Sequence, residues 1–470
     1  MQLWLHWWSM VAPLRQICRD RRSFLWLCTA LAGFCVRPDL LGVSSTVRAL
    51  GLAARCYDRL LDFFHSPAIA PDTLSRVWTE LALQRFSPHR LGGRLVLLGD
   101  GIKIPKSGRK MPAVKRLHQA SDNNTKPEYI SGHSVQVISV LVAAAGSFLA
   151  VPLGGRLHEG VKFSNRDQRT LPQKFCTLTD SFGIAEPFVM IADAYYAYYA
   201  CTAVASWALT RGCALISRLR RNALAFEPAP RPHGPQRRGR PRLYGRKIKL
   251  RNLFDASTEP WQELDSPVYG ERGVTLRFLS LDLLWRPLRR LVRFVLVDHP
   301  SRGRCIFFST DLTLSATDII SGYGLRFKIE LSFKQALRVL GAYSYHFWMR
   351  GMKKLSRHSG TQFMHHQSER YRAAVRRKLA AYDRHIQIGL IAQGLLQHLA
   401  VTYPRLVWSS FGSWLRTIRP GVCPSELVTA AALRNSLPHF LLASSATSIF
   451  TKFLHDNIDP AHAKPLRLAG

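Results

Sequence analysis

Two kinds of hydrophobic run alternate along this chain. Arg94-Leu-Val-Leu-Leu-Gly-Asp100 is short, continuously apolar and closed by a carboxylate, which predicts a central strand buried on both faces. Phe188-Val-Met-Ile-Ala-Asp193 repeats the pattern. Val135 to Val140 and Phe148 to Leu153 flank the turn Ala144-Ala-Gly-Ser147 and predict a hairpin. A Tyr- and Ala-rich helix is expected from Tyr195 to Leu209, then a fifth strand over Gly212 to Arg218. Further strands are expected over Val274 to Leu284, Leu291 to Val297 and Arg304 to Ser309. The other signal has helical spacing. Before residue 90, Leu50, Ala53, Tyr57, Leu60, Leu61 and Phe64 recur with that period, and Ser44, Ser45 and Thr46 offer N-caps. Ser315 opens another helix, a further one runs from about Tyr323 to Leu340, and the chain is helical again after about residue 360, beginning with Arg370, Arg372, Arg376, Arg377 and Lys378.

Three sequential strands, then two strands reached through helices, make a mixed α/β sheet. That is the element order of the ribonuclease H-like fold. The expected organisation is a helical N-terminal region (1–90), a catalytic α/β domain (91–220 and 310–355), a basic linker and β-rich insertion (221–309), and a helical C-terminal region (356–470). Fold alone does not give function.

Composition narrows the partner. Lys and Arg number 66 against 30 Asp and Glu, a formal net charge of +36. A surplus that large repels itself in a compact state and points to a polyanion: DNA, RNA or an anionic surface. Residues 218 to 251 concentrate it, with Arg237, Arg238, Arg240 and Arg242 among many cations and only Glu227 opposing them. The nine cysteines are scattered with no Cys-x-x-Cys, which argues against a zinc ribbon or disulfide framework and fits a reducing cytoplasm. Phe24 to Val36 is too short to span a bilayer and is expected as a buried helix, with a signal peptide as the alternative. No Gly-rich phosphate loop is present, so ATP use is not implied.

Cutting or transferring a phosphodiester requires an activated nucleophile and a stabilised leaving oxygen, which two magnesium ions roughly 4 Å apart supply. Magnesium takes hard oxygen ligands, so such a site needs several carboxylates from different elements. Asp100 and Asp193 close two neighbouring strands, and Glu330 lies on a helix able to cross their ends. On that helix Tyr323, Arg326, Glu330 and Lys334 form one polar stripe, while Ile329, Phe333, Ala336 and Leu340 form an apolar one. In isolation such a stripe more often describes a solvated face with ordinary ion pairs between neighbouring turns.

Tyr323-x2-Arg326-x3-Glu330 resembles the motif of bacterial insertion-sequence transposases of the IS-four-like branch, a DDE-type family. Gly99-Asp-Gly-Ile-Lys-Ile-Pro-Lys106, Ile191-Ala-Asp-Ala-Tyr-Tyr196, Arg237-Arg-Gly-Arg-Pro-Arg-Leu-Tyr-Gly245, Ser309-Thr-Asp-Leu-Thr-Leu-Ser315 and Tyr345-His-Phe-Trp348 are also similar to it. The resemblance covers roughly residues 45 to 350. It implies metal-dependent cleavage of double-stranded DNA at element ends and strand transfer into a target. It further implies two Mg2+ ions (Mn2+ can substitute) on Asp100, Asp193 and Glu330, and a homodimer when two ends are synapsed. Phosphate would be positioned by Tyr323, Arg326 and Lys334. The family places a Lys seven residues after the Glu; here that residue is Leu337, with Lys334 or Arg338 as substitutes.

A β-rich insertion between the second and third carboxylates is likewise implied, and Trp285 within it is a candidate for stacking on an unpaired base, against the plainer reading of a core residue. Arg238-Gly-Arg-Pro241 suits a narrow minor groove or a solvated linker. Asp298 and Asp311 are expected as turn or cap residues, Asp122, Glu128, Glu159 and Asp167 as groups behind the site or on the surface, and His365-His366 as no metal site. Two other classes stay open: a non-catalytic DNA-binding relative, which needs no converging carboxylates, and a nuclease of the same fold. The expected location is the bacterial cytoplasm, on the nucleoid when DNA is bound.

Overall fold

A computed structural model of the chain describes residues 2–119, 127–198, 201–230, 241–257, 259–412, 418–442 and 449–461. The predicted strands form and run longer than their apolar cores. They are β1 (Arg94–Pro105), β2 (Tyr129–Ala144), β3 (Ser147–Leu157), β4 (Phe188–Ala192), β5 (Ala214–Leu219), β6 (Leu224–Pro228), β7 (Tyr244–Lys249), β8 (Thr275–Trp285), β9 (Arg290–His299) and β10 (Gly303–Ser309). Their order across one sheet is β7-β6-β8-β9-β10-β5-β4-β1-β2-β3. β4 lies parallel to both β1 and β5, and the other neighbours are antiparallel. Leu95–Leu98 and all of β4 are buried, as strands covered on both faces must be. The fold is therefore α/β, a ribonuclease H-like mixed sheet with helical regions at both ends.

The insertion is expected from the sequence as a subdomain of its own. Its strands instead continue the sheet: β10 pairs with β5 from Ile306↔Leu219 to Ser309↔Ile216. An open edge at β5 would leave backbone donors and acceptors unpaired, and the apolar run Ile306–Phe308 is buried against it.

The helices that matter for the site and its support are α1 (Gln2–Val11), α2 (Arg21–Val36), α3 (Cys56–His65), α4 (Pro71–Arg85), α5 (Leu171–Asp180), α6 (Ala316–Leu325), α7 (Phe327–Gln335), α8 (Glu369–Thr402) and α9 (Glu426–Leu442). Phe24–Val36 is buried as the body of α2, which Asp20 caps. The N- and C-terminal helical regions do not stand apart. α1 and α2 pack against α8 and α9, and the indole of Trp4 donates to Leu433 O at 3.1 Å. α8 is buried on nearly every side from Ala381 to Ala400, and the polar side chains it carries there, such as Arg384, Gln387, Gln393 and Gln397, are spent on hydrogen bonds to neighbouring elements. Among the described residues β3 pairs with β2 alone, and its carbonyls are met from the helical layer. Gln397 donates to Ala150 O at 3.2 Å, Trp78 to Pro152 O at 2.9 Å and Gln387 to Leu153 O at 3.0 Å.

Ser44, Ser45 and Thr46 are not caps. They lie inside a helix running Val43–Ala49, and the expected continuous periodicity breaks before α3. The break is tertiary: Leu52 bridges to Ile458 and Ala53 N–H donates to Asn457 O. Among the described residues no helix is long and apolar enough to cross a membrane.

Candidate functional site

Register places the first two carboxylates. Gly99 pairs with Ala192 in the parallel β1–β4 ladder, and Asp100 and Asp193 each come one residue later. Side chains at matching positions of parallel neighbours share a face. Asp193 follows the last residue of its strand as expected, whereas β1 carries on past Asp100 to Pro105. Gly99 is required by packing: a Cβ there would come within 2.2 Å of the Phe175 ring of α5, which sits under this part of β1.

The third carboxylate arrives on a broken helix. Ser315 and Asp318 form a capping box that starts α6. Arg326 ends α6 and opens α7, with tightened bonds from Arg326 N–H to Tyr323 O and from Ile329 N–H to Arg326 O. Ile329, Phe333, Ala336 and Leu340 are buried, as their stripe requires. The polar stripe therefore faces the strand ends. Arg326 Nη1 donates to Asp100 Oδ2 at 2.9 Å, and Nη2 donates to Glu330 Oε1 at 2.6 Å. Asp100 Oδ1 also accepts from Gly101 N–H at 2.7 Å. Arg326 and Asp100 are only 16% and 20% exposed, while Glu330 is 47% exposed and open to a ligand.

The electrostatics are those of an anionic cluster around one cation. Burial pushes the Asp100 carboxyl up to about 6, and Asp193 and Glu330 add to the rise against the opposing pull of Arg326. Burial alone would lower the Arg326 pKa, but the charges of Asp100, Tyr323, Asp193 and Glu330 outweigh it and raise it. Tyr323, raised chiefly by burial, packs its ring on Phe307 at 4.7 Å, with the Arg326 guanidinium 5.8 Å from its centroid.

Three hard carboxylates in mutual electrostatic reach have the donor chemistry of a hard divalent cation. Among the described residues, however, no three His, Cys, Asp or Glu side chains already stand close enough to hold an ion. The Arg326 guanidinium fills the place between Asp100 and Glu330.

Other expected residues fall as follows. Lys334 is exposed on α7, and Leu337 and Arg338 are exposed in the π-turn Ala336–Leu340 that follows. Trp285 is 5% exposed with its ring 4.7 Å from Phe308, so it belongs to the core and offers no face to a base. Arg242 is exposed; Arg237, Arg238 and Arg240 lie outside the described residues, as does Asp122. Asp298 is a strand residue of β9, paired with Arg277 at 3.1 Å, and not a turn. Asp311 does form a turn, accepting from Thr313 N–H at 2.9 Å. Glu128, Glu159 and Asp167 face His118, Lys115 and Arg169 respectively. His365 and His366 share one 3-10 turn away from the carboxylates.

Sequence reasoning passed over Arg218, Tyr269 and Arg302. With Tyr323 they line a cavity of about 230 Å3 beside the cluster. Tyr269 is 51% exposed under the Arg302 guanidinium, 4.1 Å from its ring centroid. Arg218 was legible only as the first cation of a basic stretch, and nothing local marks a Tyr between Val268 and Gly270.

The family described as DDE superfamily endonuclease matches residues 16–277, more than half of the chain. That span holds Asp100 and Asp193 and ends before Glu330. No curated protein matches the chain.

Proposed function

This chain belongs to the DDE superfamily of endonucleases, and from that premise we propose that it is a DNA transposase. It would cut double-stranded DNA at element ends and join the freed 3′ hydroxyl to a target, working as a homodimer when two ends are held together. The observation that carries the reading is the matched register of Asp100 and Asp193 with Arg326 tying Asp100 to Glu330.

Asp100, Asp193 and Glu330 would hold two Mg2+ or Mn2+ ions. When bound, these would supply Lewis-acid activation of the attacking oxygen and stabilisation of the leaving one. The rest falls to the protein. Asp100 must be ionised to serve as a ligand, and Arg326 favours that form against burial. Arg326 has a planar fork that would match two oxygens of a phosphate if its carboxylate partners were engaged elsewhere. Lys334, exposed one turn beyond Glu330, adds a second cation on the same stripe. Residues 1–90 would help dock the ends.

Glu330→Gln keeps shape and helix propensity while removing a full charge. Magnesium-dependent nicking of DNA carrying the native ends should fall by several orders of magnitude, with gel-shift binding retained or tightened. Asp100→Asn and Asp193→Asn should behave alike. Asp298→Asn, which removes only the ion pairs to Arg277 and Arg304 on neighbouring strands, should cut nearly as well as wild type. Wild-type cleavage by folded Glu330→Gln would exclude the three-carboxylate mechanism and favour a DNA-binding protein without catalysis.

A further inference from the structure

Two stretches of the chain hold cations with no acid among them. Residues 103–119 contain six Lys or Arg and no Asp or Glu; residues 346–368 contain four and none. The fold lays one against the other. Met349 N–H donates to Lys110 O, Leu355 N–H to Arg109 O and Arg116 N–H to Ser359 O, at 2.9, 2.8 and 2.8 Å. Arg109 Nε returns a bond to Leu355 O at 2.8 Å.

Between them opens a pocket of about 590 Å3, lined by Lys106, Arg109, Arg116, Arg357, His358 and Tyr129 among others, and by no carboxylate. Two other cavities of similar size balance their cations: the one at Arg156 and Arg376 includes Asp72, Glu159 and Asp383, and the one at Arg221 and Arg304 includes Asp255 and Asp298. Glu128, next to Tyr129 in the chain, is turned to His118 at 3.6 Å. Two aromatic side chains stand exposed at the margin. Tyr129, 41% exposed, lies under the Arg116 guanidinium at 3.8 Å. Trp348, 63% exposed, sets its indole nitrogen against Gly108.

A concave, uncompensated cluster of guanidinium groups fits a phosphodiester, because Arg binds phosphate oxygens in pairs and releases counterions from the polyanion. Exposed aromatic groups beside it suit sugar and base faces. β1 connects this pocket to the carboxylates: Asp100 to Pro105 is five residues of extended strand, about 16 Å. That spans roughly five base pairs of duplex.

We propose that this pocket is a second DNA-backbone site, gripping the duplex about half a turn from the scissile phosphate and so setting the angle at which the strand meets Asp100. The inference rests on the DNA reading above. Contacts of this kind position a duplex without reading its sequence.

The test is fluorescence anisotropy of a labelled duplex across a salt series in EDTA, so that cleavage plays no part. For Arg109→Gln/Arg116→Gln/Arg357→Gln, the slope of log affinity against log salt should shallow by about 2 to 3, near 0.9 for each phosphate left unneutralised. Affinity at moderate salt should drop at least tenfold. Because Arg109 also holds Leu355, a second variant, Lys353→Ala/Lys354→Ala/Arg357→Ala, removes cations from one segment only and should shallow the slope with circular dichroism unchanged. Unchanged slopes in both folded variants, with wild type binding DNA, overturn the second site alone. A wild-type protein that shows no salt-dependent DNA binding overturns the DNA reading itself.

Discussion

At the residue scale the candidate site is governed by a competition for carboxylate oxygens. Arg326 satisfies Asp100 and Glu330 with the two arms of one guanidinium, and any divalent ion must take those oxygens from it. Arg326→Ala therefore should bind Mg2+ more tightly at about pH 8, above the raised Asp100 pKa, where the removed competition outweighs any further rise in that pKa. Isothermal titration should show roughly a tenfold gain, about 1.4 kcal/mol. DNA cleavage by the same variant should fall, since no guanidinium remains to meet the phosphate. Unchanged Mg2+ affinity would mean that Arg326 and the ions do not share a place.

At the element scale α8 is the beam on which the helical layer rests, and its tolerances are tight. Gly394 faces Trp78, and a Cβ would come within 2.3 Å of that buried indole. Gly394→Ala gains up to about 1 kcal/mol in helix propensity. Overpacking against a fixed ring costs about 1–3 kcal/mol. Net destabilisation is expected, seen as a lower urea midpoint; a raised midpoint would show that α8 can shift away from α4. Asp383 on the same helix accepts from Leu157 N–H at 3.0 Å, and burial pushes its carboxyl up to about 6 against the pull of Arg156. The folded protein thus holds this proton more tightly than the unfolded chain, so stability falls as pH rises from about 4 to about 6. Asp383→Asn keeps the acceptor and removes the charge. It should gain about 1–2 kcal/mol relative to wild type between pH 4 and pH 7.5 in urea unfolding. A pH-independent difference would assign that proton elsewhere.

At the scale of the whole molecule the charge of +36 has to be carried by a partner. The acid-free face around Arg116 and Arg357 is one place where it collects, and the basic stretch after β6 is another. Replacing Arg237, Arg238, Arg240 and Arg242 by Ala should flatten the salt dependence of DNA binding, the slope falling by about 0.9 for each phosphate those side chains neutralise. A slope equal to that of wild type would show that this stretch stays off the DNA. The long sheet gives these regions a common frame, since β10 joins the insertion to β5 by a backbone ladder that a loose linker could not provide.

The sequence by itself determined the strands and the acids beside them. Apolar runs such as Leu95–Leu98 and Phe188–Ala192 are local signals, and burial on both faces follows from their composition. The buried stripe of Ile329, Phe333, Ala336 and Leu340 was legible for the same reason. Tertiary structure alone decided what those residues meet. Nothing local distinguishes an Arg326 aimed at phosphate from one bridging Asp100 and Glu330, because Asp100 lies 226 positions away in the chain. Nor does composition tell an exposed Trp285 from one closed against Phe308, or a separate insertion from one that extends the sheet. The break before α3 was hidden in the same way, since it is made by Ile458 and Asn457 from the far end of the chain. Periodicity reports which face of an element is apolar; the register and packing of distant elements fix which residue stands opposite, and only their assembly sets those distances.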